Sequence, residues 1–112
     1  MLHVTFQRDS RDRLSSVSAD GHVEIPETSS DEYSLVCAGV SAVLQAARLG
    51  LEVYAGVPLA AQQQKGELRL HLPERSRDDA AAKAIVTTAE LAIEAIAKEY
   101  PHHIVVRRLK EG

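Results

Sequence analysis

One thiol and one imidazole could act together if the fold brings them within hydrogen-bond reach. Cys37 is the only cysteine of the chain, and His22 precedes it across a polar segment. A thiolate is a strong nucleophile, and an imidazole within hydrogen-bond reach can take its proton or hold it as an ion pair. The pattern leaves alternatives open, because a free cysteine is often a small buried apolar residue and His22 could be a loop residue without a role.

A metal site is a weaker interpretation of the same residues. His22 and Cys37 supply two ligands, whereas a structural zinc takes four. No acid or cysteine is spaced to complete a site with His102 and His103. We therefore expect no metal and no cofactor. The remaining histidines fall on polar strand faces, where we expect them to be solvated: His3 and His71.

A helix must position Cys37. Apolar residues recur at helical spacing after the polar segment: Val36, Val40, Val43, Ala47 and Leu51. Ser34 is a candidate N-cap, Ser30 is the competing choice, and Gly50 suits the C-terminal end. With Ser34 as the cap, Cys37 lies in the first turn, where the helix dipole favours the thiolate. Backbone N–H groups near Cys37 and Ala38 could then hold an oxyanion. With Ser30 as the cap, the dipole effect is weaker.

Two neighbours of Cys37 on this helix each have two interpretations. Gly39 would let a substrate or partner backbone approach closely, or it serves close packing against the sheet or another helix. Ser41 shares the side of Cys37 one turn later. It could hydrogen-bond a group in the site, or bond back to the carbonyl one turn earlier.

Strand-like alternation marks the elements around the helix. Residues 2–6 and 14–19 predict a hairpin, and residues 20–33 form a long acidic loop. The apolar run 53–59 predicts a strand and residues 60–66 a polar turn. Residues 68–72 predict the second strand of that hairpin.

The C-terminal third contains a second helix and a last strand. An acidic segment that resembles a capping box, residues 76–79, opens a predicted helix over 78–100, which Pro101 ends. Residues 104–106 predict a short strand before a basic tail. The order is β-β-α-β-β-α-β, which predicts an α+β fold. We expect one domain over residues 1–112, a two-layer sandwich of a mostly antiparallel sheet with two helices on one face.

Composition limits the classes of function. The chain has 112 residues, 45% of them apolar and 26% charged, with a net charge of −3, and this argues against direct nucleic-acid or anionic-membrane binding. A single cysteine excludes an internal disulfide and fits the reducing cytoplasm. We expect neither a signal peptide in residues 1–13 nor a stretch near the roughly 18 apolar residues of a membrane helix. The alanine-rich second helix permits close helix contact, which predicts a homodimer.

The strongest pattern lies around Cys37. Gly21-His22 is followed by a polar loop and then by the block LVCAGVSA, which runs from Leu35 to Ala42. This pattern resembles that of the ribosomal-processing cysteine protease family, Prp: a Gly-His pair, a mobile loop, and a helix that opens with an aliphatic-Val-Cys-Ala-small-Val-Ser run. The predicted element order matches the family along nearly the whole chain.

The resemblance implies a bacterial endopeptidase with a Cys–His dyad. Such enzymes remove the N-terminal extension of large-subunit ribosomal protein number twenty-seven, act as dimers in the cytoplasm, and order the loop between His and Cys around the peptide. The resemblance implies that Cys37 is the nucleophile and His22 the base. Gly21 and Ser41 also match positions that recur in the family motif. We expect four residues to contact the substrate peptide: Gly21, Ser34, Ala38 and Ser41.

The sequence departs from the family pattern in the loop. Ser34 stands where the family usually has Asp, and the loop is longer and lacks a glycine. Asp31 or Glu32 could replace the missing acid. These departures favour the alternative function, a ribosome-associated protein of the same fold that binds the peptide without cleaving it.

Overall fold

The computed structural model describes residues 1–21 and 31–111, and within them the chain forms the predicted order of strands and helices. This order confirms the α+β class. A π-helical turn, Gly50–Tyr54, extends the first helix. The elements are β1 (Leu2–Arg8), β2 (Leu14–Gly21), α1 (Asp31–Leu49), β3 (Ala60–Gln64), β4 (Glu67–His71), α2 (Ala80–Glu99) and β5 (Ile104–Lys110).

The strands form one five-stranded sheet in the order β3-β4-β2-β1-β5. Three of its pairings are antiparallel, and β5 runs parallel to β1 with Leu2 opposite Ile104. This last strand is longer than the predicted 104–106, because it pairs with β1 along its whole length and takes part of the basic tail into the sheet. The mostly antiparallel sheet is thus confirmed.

The core lies between the sheet and the two helices. Val4 and Phe6 of β1 point inward and are almost fully buried, while Thr5 between them is only partly buried, as period-two alternation predicts. Val40 and Leu44 of α1 and Ile93 of α2 pack in the same cluster. The helices therefore cover one face of the sheet, and α1 is held along the strands that carry the site.

The predicted strand at 53–59 is wrong. The helix continues through Gly50–Tyr54, where Val53 and Tyr54 are about four-fifths exposed, at 78% and 81%. The strand is the polar segment Ala60–Gln64, which was predicted as a turn and which pairs with β4. Only Lys65 and Gly66 form the turn, and Gly66 has φ 80°. β3 is an edge strand, which is held by backbone hydrogen bonds to β4. Its side chains need not be apolar, so three glutamines can form part of it.

The second helix begins later than predicted. Asp79 is its N-cap, and its carboxylate accepts a hydrogen bond of 2.9 Å from the Ala82 N–H. The predicted capping box at 76–79 is wrong, because residues Glu74–Ser76 form a separate 3-10 turn. The helix ends at Glu99, directly before Tyr100 and Pro101, as the sequence predicted.

The helical run Asp31–Tyr54 is long and apolar enough to cross a membrane by length and composition. The expectation that no stretch approaches a membrane helix is therefore wrong on those two criteria. One face of this run is nevertheless part of the core, through Val36, Val40 and Leu44. A core helix of this composition passes the same test.

A buried carboxylate ties the β1–β2 turn to the segment before α2. Asp9 accepts hydrogen bonds from the backbone N–H groups of Arg11 and Arg13, at 2.9 and 3.0 Å. It also accepts from the guanidinium groups of Arg13 and Arg77, each at 3.0 Å. Burial by itself raises the pKa of Asp9, but these hydrogen bonds and the Arg13 charge outweigh it and lower the pKa to about 2.

We expect this carboxylate to make stability depend on acid pH. The pKa of Asp9 is lowered from 3.8 to about 2 by folding, so its contribution is present above 3.8 and is lost as the pH falls towards 2. Asp9→Asn should melt several degrees lower at about pH 5 and lose less stability than the wild type on going to about pH 2.5. Thermal melts monitored by circular dichroism measure this. Glu52→Gln, at an exposed pair with Arg48, is the matched control. Parallel pH curves for Asp9→Asn and the wild type would contradict it.

Candidate functional site

A cleft of about 360 Å³ runs between α1 and the sheet. The side of α1 that faces it extends from Tyr33 to Gln45, and the end of β2 and the β3–β4 hairpin form the other wall. Gln45 bridges the two walls by a hydrogen bond of 3.1 Å to Gln63. The cleft therefore has an apolar floor, where Leu2 and Leu68 lie, and a rim of amides at the β3 side.

Most of the residues singled out in the sequence lie together in this cleft. Cys37, Ala38 and Ser41 line it from α1, and Gly21 lines it from the end of β2. Cys37 is half-buried and free. Ser34 is exposed on α1 and is not among the residues that line the cleft. His22, and with it most of the polar loop, lies outside the described residues.

The helix start differs from the prediction. The chain is already helical at Asp31, so Ser34 is inside the helix and is not its N-cap. The competing choice, Ser30, lies outside the described residues. Cys37 follows Asp31 by six residues and so lies in the second turn. The dipole effect on the thiol is accordingly the weaker of the two expected. The N–H groups of Cys37 and Ala38 bond within the helix, which leaves them no free proton for an oxyanion.

Gly21 and Gly39 have different surroundings. Gly21 lies where β2 meets the cleft, and its N–H donates to the Gly66 carbonyl at 2.8 Å, which ties β2 to the hairpin turn. A Cβ at this position would lie 3.5 Å from the Tyr33 hydroxyl, in ordinary contact. Gly39 faces α2, where the nearest atom to an added Cβ is Ile96 Cδ1 at 3.9 Å. Gly39 therefore belongs to the helix contact and not to the cleft.

Tyr33 is the site residue that sequence reasoning missed. It lies one turn before Cys37, lines the same cleft and is 8% exposed. Burial, with further contributions from the neighbouring Cys37 and Asp20 side chains, raises the pKa of Tyr33 to about 12. The four-residue spacing was the available signal, because residues i and i+4 share a helix face.

The start of α1 is attached to the segment before β5. His103 Nε2 lies 2.7 Å from a Glu32 carboxylate oxygen, and its ring stands against Tyr33 with centroids 5.9 Å apart. Glu32 is thus engaged away from the cleft, and Asp31 is exposed. Among the residues that the structure describes, no group of three or more His, Cys, Asp or Glu side chains could hold a metal ion.

Comparison with known proteins adds an independent finding. The family model for the cysteine protease Prp matches residues 1–105 of the chain. A search of curated proteins finds no match. A Streptococcus mutans protein of known structure has a TM-score of 0.85 and 23% identity, with 99% of this chain and 96% of that chain covered.

Two structures of one Staphylococcus aureus protein are also similar. The essential ribosomal processing protease Prp has a TM-score of 0.83 and 21% identity in its complex with a substrate peptide. With a covalently linked product peptide the values are 0.81 and 22%. In both comparisons 96% of this chain and 99% of the other are covered. Because these sequence identities are low, the comparison with the solved structures shows that the fold is shared and shows nothing further.

Proposed function

The chain belongs to the cysteine protease Prp family, and from this premise we propose that it removes the N-terminal extension of large-subunit ribosomal protein number twenty-seven. The activity class, a cysteine protease, follows from the family. A substrate of the ribosome is supported by the Staphylococcus aureus protein of the same fold, which is a ribosomal processing protease and was solved with a substrate peptide. Such a substrate would place the reaction in the cytoplasm.

One observation carries the proposal: the only cysteine lines a cleft that is also lined by Gly21, the first residue of the Gly-His pair. Cys37 faces the cleft from α1, and Gly21, the residue directly before His22 in the sequence, lines the opposite side. Acyl transfer requires a thiol and an imidazole within reach of each other, and His22 follows Gly21 directly in the sequence. We therefore assign Cys37 as nucleophile and His22 as base.

The reaction proceeds by acyl transfer. His22 takes the Cys37 thiol proton, and the sulfur attacks the scissile carbonyl carbon to form a C–S bond. As the carbon–nitrogen bond breaks, the imidazolium gives its proton to the leaving amine. A water molecule, deprotonated by His22, then attacks the thioester. This step releases the peptide's new carboxyl end and returns the proton to the Cys37 sulfur.

The lining of the cleft suits an extended peptide. Gly21 and Ala38 have little or no side chain, which leaves room for a substrate backbone beside Cys37. Ser41 lies one turn along the same wall, where its hydroxyl could bond a peptide group. We assign these three residues to substrate binding. The predicted contact of Ser34 with substrate stays a prediction, since Ser34 is exposed outside the cleft lining.

The test uses a synthetic peptide that spans the N-terminal extension of the ribosomal protein from the same genome. Wild-type protein is incubated with it, and mass spectrometry follows both peptide and protein. We expect two product masses that share one cut, together with a transient acyl adduct on the protein. Protein alkylated at Cys37 should be inactive. A peptide that binds but stays intact would support the alternative, a non-catalytic peptide-binding protein.

A homodimer is the second part of the proposal, and the outer face of the helices supports it. Exposed apolar residues follow one stripe of α1 and its extension: Leu35, Ala42, Ala46, Leu49 and Val53. An apolar groove between the helices, where Gly50, Ala84 and Thr88 lie, continues this surface. A contiguous apolar helix face of this kind favours association with a second copy.

We expect the wild type to sediment as a dimer at micromolar concentration and Leu49→Glu to sediment as a monomer. Leu49 is 62% exposed in the middle of the helix face, so a carboxylate there leaves the fold intact and opposes burial against a partner. Leu109→Glu, on β5 and 54% exposed, is the matched control and should stay dimeric. Monomeric wild type would overturn the proposal.

A further inference from the structure

The two edges of the sheet differ in their side chains. β5 forms one edge and carries three cationic residues, Arg107, Arg108 and Lys110. Charged side chains on an edge strand hinder the addition of a further strand. β3 forms the other edge among the strands that the structure describes, and it consists of alanines and glutamines, four of its five residues exposed. The β3 edge therefore lacks the charges and prolines that keep an open strand from pairing.

The register shows which backbone groups of β3 face outward. β4 pairs with β2 on one side and with β3 on the other, and residues of an antiparallel strand bond to the two sides alternately. The Leu72 N–H, directly after β4, donates to the Ser15 carbonyl of β2 at 2.8 Å. Even-numbered residues of β4 therefore bond to β2, and odd-numbered residues bond to β3 at positions 60, 62 and 64. The residues between these positions, Ala61 and Gln63, direct their backbone N–H and C=O groups away from β4.

This edge continues into the cleft that contains Cys37. Gln63 and Gln64 line the cleft together with Cys37. The Gln63 side chain lies on the face of the sheet that the helices cover, where it accepts a hydrogen bond of 3.1 Å from the Gln45 amide. Because β3 is the outermost strand, the hairpin wall of the cleft ends at the outward-facing backbone of Gln63. A peptide chain that leaves the cleft on the hairpin side therefore passes this backbone.

We propose that the substrate peptide adds to the sheet as a strand beside β3, with its backbone hydrogen-bonded to Ala61 and Gln63. Such pairing supplies affinity through the main chain and leaves side-chain selection to the cleft. The continuity of the edge with the cleft identifies a peptide, and not a second copy of the chain, as the added strand. The inference rests on the proposed function, because it takes the cleaved peptide as that strand.

The test measures the binding of Cys37→Ala protein to a series of peptides by isothermal titration calorimetry. Each peptide spans the N-terminal extension and carries one N-methylated backbone amide. In an added strand, alternate N–H groups face β3 and the others face solvent. We expect methylation to weaken binding roughly tenfold at every second residue of the paired segment and to have little effect at the residues between them. Losses without this period of two would mean that the peptide binds without pairing, and they would overturn the inference.

Ala61→Pro tests the same contact from the side of the protein. The Ala61 N–H does not bond to β4, so proline should leave the hairpin intact. In the Cys37→Ala background this variant should bind the unmethylated peptide roughly tenfold more weakly. Gln62→Ala is the matched control and should bind as the parent does, because Gln62 bonds to β4 and its side chain is exposed. The methylated peptides use unaltered β3, so they decide the question even if Ala61→Pro folds poorly.

Cleavage and edge pairing fail separately in these experiments. A period of two in binding supports the inference even if the wild type leaves the peptide intact, a result that overturns only the proteolytic function. Cleavage by the wild type without that period overturns only the inference. If Ala61→Pro changes the oligomeric state and leaves peptide binding unchanged, a second copy occupies the edge and the inference is wrong. It is also wrong if Cys37→Ala binds none of the peptides.

Discussion

Cys37→Ala is expected to abolish peptide cleavage, lowering the rate by roughly four orders of magnitude or more. The alanine keeps the half-buried position on α1 filled by a small apolar side chain but removes the sulfur that forms the C–S bond in the proposed reaction. No other thiol exists in the chain to take its place. Cleavage of the ribosomal-protein peptide, followed by mass spectrometry over hours, measures the loss.

Two controls isolate the chemistry from the fold. Cys37→Ala should keep the melting temperature of the wild type, since only one sulfur atom is lost from a partly exposed site. Ser41→Ala, one turn along the same cleft wall, should lower cleavage by no more than about tenfold, because it removes one hydrogen-bonding group. Residual cleavage by Cys37→Ala within tenfold of wild type would refute the nucleophile assignment.

The parts of the fold that the sequence predicted are those where burial alternates. β1 places Val4 and Phe6 inward, and α1 places Val36, Val40 and Leu44 on the sheet, so periodicity located both elements. The same criterion failed at β3. There, backbone pairing with β4 forms the strand and the side chains are mostly exposed glutamines, so the apolar run before it was mistaken for the strand.

The candidate site was predictable in its residue types and not in its contacts. Cys37 and Gly21 meet at one cleft because α1 crosses the end of β2, which the element order and the resemblance together implied. The position of Tyr33 on the cleft wall, one turn before Cys37, depends on where α1 begins and on how the tyrosine is buried. Serine is a common N-cap, and this preference placed the helix start at least one turn too late and put Tyr33 in the loop.

His22→Ala carries the second large effect, a fall in peptide cleavage of about a thousandfold. In the proposed reaction His22 takes the Cys37 proton and later protonates the leaving amine, so its removal slows both acylation and release of the amine product. The loss should be smaller than for Cys37→Ala, because hydroxide and water can replace a base more readily than any group replaces the sulfur. Single-turnover cleavage of the same peptide measures the two variants side by side.

Chemical rescue distinguishes a missing base from a disturbed loop. Free imidazole added to His22→Ala should restore part of the cleavage, since a small soluble base can take over the proton transfers of the missing side chain. It should restore nothing to Cys37→Ala. His71→Ala, on an exposed position of β4, is the matched control and should cleave at the wild-type rate. If His22→Ala cleaves as well as His71→Ala, the base must be another residue, and the proposed pairing of His22 with Cys37 is wrong.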